Sequence, residues 1–409
     1  MAVLGIKSQS IIEELLLFQS QTWTCHQTGL VKVVCIGGGG SGACVTADSN
    51  GLAGRATGGG GGGYSDQIIP VTKGDTYTIT IGAAGQARAR TNNAGGGVTQ
   101  GQVGGASRFV TASGTTIDLN AGGGGAGVGA ANNASGSEEG LAGGTGGSAS
   151  GGSTNRVGGA GGAIASGGGR YALAATGGGA VGIRSPVGYA GGAVVPSSSN
   201  NVGRYHSSGG GGIGGAGGAL TSSSVLIQYS ATNGGGSSGP GTDDGSGASP
   251  ISTGVPRMAS TTGGTGMIAN YGLNQSNTGA VVGTNVGLLI GTAGNAPGSY
   301  GSAGMPNSIF SVFGSGGSYV VSGNSVNREA GAPGGGGGGN AGNRGSLPSG
   351  GIFAGGGGNC TNTSSINVTG IGGPMGGGSG GAVNSSSGNA TASGVAGTGA
   401  VVIQYLSLT

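Results

Sequence analysis

The sequence predicts a mostly β and irregular fold: a short N-terminal helix, a small antiparallel β-sheet base and a stack of packed polyglycine II helices with surface loops. Three observations lead to this prediction. Glycine supplies 113 of the 409 residues, only 6% of residues are charged, and the short β-branched segments are separated by glycine runs. A collagen triple helix is excluded because the glycine spacing is irregular and only 11 prolines are present.

The first 20 residues are predicted to form a helical attachment segment. Ser10 and Glu13 have the spacing of a capping box, and an apolar stripe at helical spacing follows them. The stripe consists of Ile11, Ile12, Leu15, Leu16 and Phe18. Because a helix this short is marginal alone, the stripe must dock, either on its own domain or on a larger assembly, including a trimer seam.

Residues 21–409 are predicted to form one glycine-rich domain of β-strands and polyglycine helices. The β-rich segments are Leu30–Ile36, Thr76–Ile81, a hairpin over Ser107–Asn120, and Ala400–Leu408. The last segment contains "VVIQY" (401–405), and a similar "VLIQY" occurs at 225–229. Two modules with a boundary near residue 230 are therefore the alternative, but "VKVVCIGGGG" has no second copy.

Six glycine runs separate these segments, and they are too numerous to be simple linkers. Glycine costs roughly 0.5–1 kcal/mol relative to alanine in regular structure, so an ordered domain must recover this energy by direct contact between backbones. Polyglycine II helices lack Cβ atoms and internal hydrogen bonds, and could therefore bond to one another. Disorder is the competing interpretation. The runs are 37–40, 58–63, 122–125, 209–212, 334–339 and 355–358.

One glycine run imitates a cofactor loop. Gly37, Gly39 and Gly42 match the dinucleotide-binding G-x-G-x-x-G and follow a predicted strand. That site also needs a helix at the loop and an acidic residue about 20 positions later. Neither follows here, since Asp48 comes too early and Asp66 follows six further glycines. No cofactor is expected.

The other catalytic patterns also lack their context. The "GGSGG" of Gly377–Gly381 matches a nucleophile elbow without the strand and helix around it. His26 and His206 have no nearby acid in sequence, and the acidic pairs 138–139 and 243–244 resemble solvated loop charges. The four cysteines form no metal-binding spacing and are expected to be small, buried, reduced thiols. We therefore expect no enzyme activity and no metal.

The charge and hydropathy of the sequence limit the classes of partner that this protein can bind. The net charge is +3 and the basic residues are scattered, with Arg88 and Arg90 as the nearest approach to a cluster; this argues against nucleic-acid binding. No apolar run is long enough for membrane insertion. Glu13 and Glu14 interrupt what would be a signal-peptide core, so synthesis in a cytoplasm is expected.

Several segments together resemble the glycine-rich modules of bacteriophage tail fibres and tail-tip adhesins. An aromatic-led strand ("QTWTCHQTGLVKVVCIGGGGSG") opens the module, "VTKGDTYTITIGAAGQ" follows, and "GTGAVVIQY" closes it. The resemblance covers residues 21–120 and 395–406, with departures at Cys25, Cys35 and 83–84. The matching positions are Trp23, Val31, Val33, Gly37, Val71, Gly74, Tyr77, Ile79, Ile81, Gly82, Val401, Val402, Ile403 and Tyr405.

The resemblance implies a virion protein whose loops touch the host surface from a polyglycine scaffold. Its implied partners are other tail or fibre proteins, through the N-terminal segment, and a host surface glycan or outer-membrane protein. A homotrimer and a single chain both stay open. The alternatives are a structural virion component, such as a head fibre or decoration protein without receptor binding, and a secreted glycine-rich or ice-binding surface protein. The missing signal peptide and the irregular repeat count against this last one.

Receptor-contact candidates are the aromatic and basic residues between glycine runs, because such residues anchor binding surfaces. They are Arg170, Tyr171, Arg184, Tyr189, Arg204, Tyr205, His206 and Tyr319. Phe310, Phe313 and Phe353 are expected instead to fill small cores.

Overall fold

The computed structural model describes only part of the chain, and every structural statement below refers to that part. The described residues are 9–46, 54–90, 97–112, 117–131, 139–166, 172–183, 186–195, 204–220, 229–232, 234–235, 319–322, 325–328, 336–337, 340–342, 349–361, 367–368, 370–384 and 391–408.

The assigned secondary structure of these residues is entirely β. The strands are β1 (Gln9–Leu17), β2 (Gln21–Thr24), β3 (Gly29–Ile36), β4 (Cys44–Thr46), β5 (Gly54–Ala56), β6 (Tyr64–Val71), β7 (Thr76–Thr80), β8 (Ala89–Arg90), β9 (Gly97–Thr99), β10 (Ser107–Thr111), β11 (Asp118–Ala121), β12 (Gly129–Ala131), β13 (Ala149–Ser150), β14 (Thr154–Arg156), β15 (Ala172–Ala175), β16 (Arg204–Ser207), β17 (Tyr229–Ala231), β18 (Tyr319–Ser322), β19 (Ser325–Arg328), β20 (Asn340–Gly342), β21 (Asn359–Thr361), β22 (Asn367–Val368), β23 (Ala382–Asn384), β24 (Thr391–Ala392) and β25 (Ala400–Leu408).

Two antiparallel sheets form the base of the molecule. The terminal sheet has the order β1-β25-β3-β6-β14 and so contains both the first and the last strand. The covering sheet has the order β13-β11-β10-β7-β2. Their shared core contains four aromatic residues, of which Tyr77 and Phe109 stack with ring centroids 4.7 Å apart and Trp23 lies 6.2 Å from Tyr405.

The terminal sheet is buried on both faces. Val31, Val33 and Cys35 of β3 face the covering sheet, whereas Val34 and Ile36 face a second core. This second core also contains Val181, Ile183, Ile213, Phe353, Met375 and Val402. Burial on both faces explains why "VKVVCI" is nearly all apolar rather than alternating.

Glycine segments lead from the base to a second group of sheets, which we call the far end. Strands β20, β21, β23 and β4 lie parallel, with β9 antiparallel at the edge. Strands β5, β15, β16 and β17 lie parallel in another sheet, with β12 antiparallel. A three-stranded sheet, β22-β24-β8, lies beside β4. Residues of both five-stranded sheets, including Val45, Tyr205 and Val383, share one core.

The direction of the glycine segments explains the parallel pairing at the far end. Each of β4, β21 and β23 follows a glycine segment that runs away from the base. Each of β5, β15 and β16 precedes a glycine segment that returns to it. Parallel strands usually need helical crossovers, and here the glycine segments make the return instead.

The glycine segments between the two ends are bonded side by side into a lattice. All six N–H groups of Gly58–Gly63 donate to other segments, and in two of the three pairs of residues three apart both members donate to the same segment. The acceptors are, in order, Thr176 Oγ1 and the main-chain oxygens of Ser379, Gly125, Gly159, Gly376 and Gly122. Main-chain groups buried without water are satisfied in this way.

The predicted N-terminal helix is wrong. Residues Gln9–Leu17 form β1, which pairs antiparallel with β25 over almost its whole length, with one irregularity between Ile11 and Glu13. Leu15 and Leu16 pack on opposite cores of the terminal sheet, as alternate residues of a strand do. The spacing of apolar residues in "IIEELLLF" fits a helix but does not exclude a strand. The hydrogen bonds with β25 make this segment a strand.

The predicted polyglycine helices are not shown either. The glycine segments carry no assigned secondary structure, because their hydrogen bonds go to several neighbouring segments rather than along a helix or a single ladder. The other predicted strands are present as β3, β7, β10, β11 and β25. Of the "VLIQY" echo, residues 225–228 lie outside the described part and Tyr229 begins β17.

Candidate binding surface

Charged side chains occur at the two ends of the molecule, and the lattice between them carries none among the described residues. At the base the charges are mostly paired. Arg108 and Asp118 are joined at 2.6 Å, and Lys32 Nζ lies 3.6 Å from Asp66. At the far end the described charged side chains are mostly basic: Arg55, Arg88, Arg90 and Glu139.

Two of the far-end arginines lie on the surface beside β9. Arg88, which is exposed, donates from Nε to the carbonyl oxygen of Gln100 at 3.2 Å. Arg90, which is partly exposed, donates from NH1 to the carbonyl oxygen of Val98 at 3.4 Å. Both guanidinium groups are therefore tied to the same neighbouring segment.

Arg55 is a buried far-end arginine, with only 3% of its surface exposed. It lies in the middle of β5 and donates from NH1 to the carbonyl oxygen of Glu139 at 2.9 Å. Burial disfavours its charged form and lowers the pKa of Arg55 to about 10. Arg55 thus holds the chain near residue 139 against β5.

The structure describes the side chains of three of the eight sequence-predicted contact residues, namely Tyr189, Tyr205 and His206. Arg170, Tyr171 and Arg184 lie outside the described residues. Arg204 and Tyr319 are placed by their backbones, in β16 and β18, but their side chains lie outside the described part. Tyr189 is half-buried, and its carbonyl oxygen accepts from the N–H of Ala180 within the lattice.

Two of these candidates are interior residues. Tyr205 is 3% exposed and belongs to the far-end core, and the adjacent His206 is 7% exposed. Their strand β16 lies between β15 and β17. The side chains of Tyr205 and His206 are therefore buried inside the far end and are not accessible to a receptor.

Chain position separates the remaining candidates. The register pairs Ala172 with Arg204, so Arg170 and Tyr171 immediately precede a far-end strand. Ile183 packs in the core against the terminal sheet, so Arg184 and Tyr189 follow in sequence a residue at the base.

A chain of polar contacts at the base escaped the sequence analysis. The carboxylate of Glu13 lies 3.2 Å from His26 Nε2, and His26 Nδ1 lies 3.2 Å from the hydroxyl of Tyr405. That hydroxyl lies 3.5 Å from Cys25 Sγ. Glu13 is far from His26 in sequence, and only the pairing of β1 with β25 brings them together. Burial raises the pKa of Tyr405 above its ordinary value. These contacts tie β1 to the segment after β2 and to β25.

All four cysteines are free and buried, as expected. Burial raises the pKa of Cys35, Cys44 and Cys360. Beside Cys44, the arginines at 88 and 90 oppose that shift as nearby positive charges. The three thiols are therefore protonated near neutral pH and poorly reactive.

The polar groups of the motifs that resemble active sites make hydrogen bonds within the lattice. The N–H groups of Gly37 and Gly39 donate to Gly63 and Gly397, and the N–H of Gly42 donates to the hydroxyl of Ser379. The Ser379 hydroxyl in turn donates to the carbonyl oxygen of Gly394 at 2.7 Å. The donors that would hold a pyrophosphate are thus already used.

Two further searches of the described residues concern metals and membranes. They contain no group of three or more histidine, cysteine or acidic side chains arranged to hold a metal ion. Within the same residues, no helix is long and apolar enough to cross a membrane.

Comparison of the chain with models of protein families found no match. Comparison with curated proteins found none either.

Proposed function

We propose that this chain is a bacteriophage virion protein, a tail fibre or receptor-binding adhesin that contacts the host cell surface through its far end. The observation that carries the proposal is the path of the chain. It crosses the glycine lattice repeatedly between a base that holds both terminal strands and a far end of short strands joined by connecting segments. Such a path presents many connecting segments on one rigid support, which suits recognition.

The base supports a role in attachment to other virion proteins. Strand β1 lies at the edge of the terminal sheet, and the exposed fractions of Ile11, Ile12 and Phe18 are 41%, 63% and 45%. Exposed apolar side chains along an edge strand favour association with another chain. Attachment at the base leaves the far end directed away from the particle.

The test combines localisation with competition. Purified chain, added to host bacteria before infection by the phage that encodes it, should reduce adsorption, and gold-labelled antibody should mark the tail. The same chain after heat unfolding is the control. Label on the capsid together with unchanged adsorption would instead support a structural virion component without receptor binding.

A further inference from the structure

We propose that the surface formed by Arg88, Arg90 and the neighbouring glutamines Gln86, Gln100 and Gln102 binds anionic groups of a surface polysaccharide, such as phosphate or sulfate. We call it the arginine surface. The inference rests on the proposed function for the identity of the source, a host glycan, but its chemistry follows from the side chains alone.

The two arginines have a fixed and matching placement. They are two residues apart on an extended segment, so their side chains leave on the same side. Their acceptors, Val98 and Gln100, are also two residues apart. One guanidinium donor is used in each contact and Arg90 Nε is buried, but a guanidinium has five donors, so each group keeps further donors. Because each guanidinium is hydrogen-bonded to the backbone, the orientation of its remaining N–H donors is restricted before a ligand binds.

A glycine makes room for one of these groups. An ideal Cβ on Gly97 would lie 1.8 Å from NH2 of Arg90 and 1.9 Å from its Cζ. The guanidinium therefore lies directly over the Gly97 backbone, where any larger residue would displace it. This placement keeps Arg90 close to the segment that also accepts from Arg88.

The adjacent amides are exposed and ordered by the backbone. Gln100 donates from Nε2 to the carbonyl oxygen of Gly129 at 3.2 Å and accepts from the N–H of Gly129 at 2.8 Å. Gln102 accepts from the N–H of Gln86 through Oε1 at 3.3 Å. Exposed amides beside arginines suit sugar hydroxyls beside an anionic group.

Charge complementarity identifies the partner as anionic. Within the described residues, Arg88 and Arg90 have no carboxylate partner, whereas exposed Arg108 at the base is paired with Asp118. Arginine binds phosphate and carboxylate oxygens through charge-assisted, often bidentate hydrogen bonds. Two tied guanidinium groups, with no carboxylate against them in the part of the chain that the structure describes, therefore form a site for such oxygens.

The experiment compares two variants with the same change in net charge. The double variant Arg88→Gln/Arg90→Gln removes the arginine surface, and Lys73→Gln/Arg108→Gln removes two charges from the base. Retention on dextran sulfate, with neutral dextran as a blank, measures the anionic affinity. Loss of charged hydrogen bonds worth about 1.5–3 kcal/mol should weaken binding about tenfold or more in the first variant. The base variant should retain its binding.

Thermal unfolding checks that each variant folds, and the single variant Arg88→Gln serves if the double variant does not. Equal weakening in both double variants, or none in either, would overturn the inference. Binding of all three chains to host cells serves to distinguish the two proposals. Cell binding that survives loss of the arginine surface would refute the inference and leave the adhesin standing. Absence of any cell binding, with dextran sulfate retention dependent on the arginines, would refute the adhesin alone.

Discussion

Gly60 shows at the scale of one residue why this chain carries so few side chains. An ideal Cβ on Gly60 would lie 1.9 Å from the carbonyl oxygen of Thr145, and one on Gly61 would lie 2.4 Å from that of Ala180. Both obstacles are backbone atoms, which cannot rotate away. Glycine is required here by the closeness of the neighbouring segment, not by a left-handed conformation.

Hydroxyl residues have a repeated role beside these glycines. In the sheet β12-β5-β15-β16-β17, each of the four parallel strands is followed by a serine or threonine. The hydroxyl of that residue donates to a carbonyl oxygen of the lattice. The contacts are Thr57 to Ala142 at 3.1 Å, Thr176 to Gly162 at 2.6 Å, Ser208 to Gly192 at 2.5 Å and Thr232 to Gly218 at 2.5 Å. Their side chains thus complete hydrogen bonding where the strands meet the lattice.

The first prediction concerns Gly60. We expect Gly60→Ala to lower the free energy of unfolding by about 3 kcal/mol, the upper range for inserting a methyl group into a packed interior. Gly29→Ala is the control, because a Cβ there has nothing within 4 Å, and it should change stability by less than about 1 kcal/mol. Urea unfolding measures both. Equal stability of the two variants would show that the backbones are not in contact.

At the scale of elements, β1 is defined by its partner rather than by its own sequence. Ile12 and Leu16 would share one face of a helix, being four residues apart. In the strand, Ile12 is 63% exposed, whereas Leu16 packs against the core that contains Ile36 and Val402. A regular strand would also place residues four apart on one face, so the two side chains differ because the irregularity between Ile11 and Glu13 leaves Ile12 out of the pairing with β25.

The second prediction uses this pair. We expect Leu16→Asn to cost about 2 kcal/mol of stability, because a half-buried leucine loses its apolar contacts, and Ile12→Asn to stay within about 0.5 kcal/mol. Thermal unfolding provides the measurement. Similar losses in both variants would contradict the different burial that the irregularity gives to these two side chains.

At the scale of the whole molecule, the lattice brings together two glycines that are far apart in sequence. The N–H of Gly336 donates to the carbonyl oxygen of Gly235 at 2.7 Å, although 101 positions separate them in sequence. Gly337 then donates to Gly355, and Gly235 to Gly210, so both sides of the junction are bonded into the lattice. The ends of the intervening segment are therefore adjacent.

The third prediction follows from this adjacency. Replacing residues 238–333, which include the hairpin of β18 and β19, with a Gly-Ser pair should leave a folded chain. A short closure costs little entropy, and the lattice bonds of Gly235, Gly336 and Gly337 remain. Cooperative thermal unfolding, with a midpoint within a few degrees of the full chain, is the expected result. An unfolded or non-cooperative product would show that this segment is part of the core.

Much of the base was predictable from sequence. The strands at 29–36, 76–80 and 400–408 are apolar or alternating segments whose β-branched residues favour strands locally, and the hairpin of β10 and β11 is a local pairing. The four buried cysteines also followed from composition. Arg88 and Arg90 are the nearest approach to a basic cluster in the sequence, but the spacing of residues does not reveal their hydrogen bonds to Val98 and Gln100 beside β9.

What the sequence by itself determined is therefore the abundance of glycine, the local strands and the scarcity of charge. Only the tertiary structure decided that residues 9–17 are a strand, that Glu13 meets His26, and that Tyr205 lies inside while Arg88 lies outside. The physical reason is the range of the interactions. Strand propensity acts between near neighbours, whereas the hydrogen bonds of a glycine backbone carry no side-chain information about which distant segment will accept them.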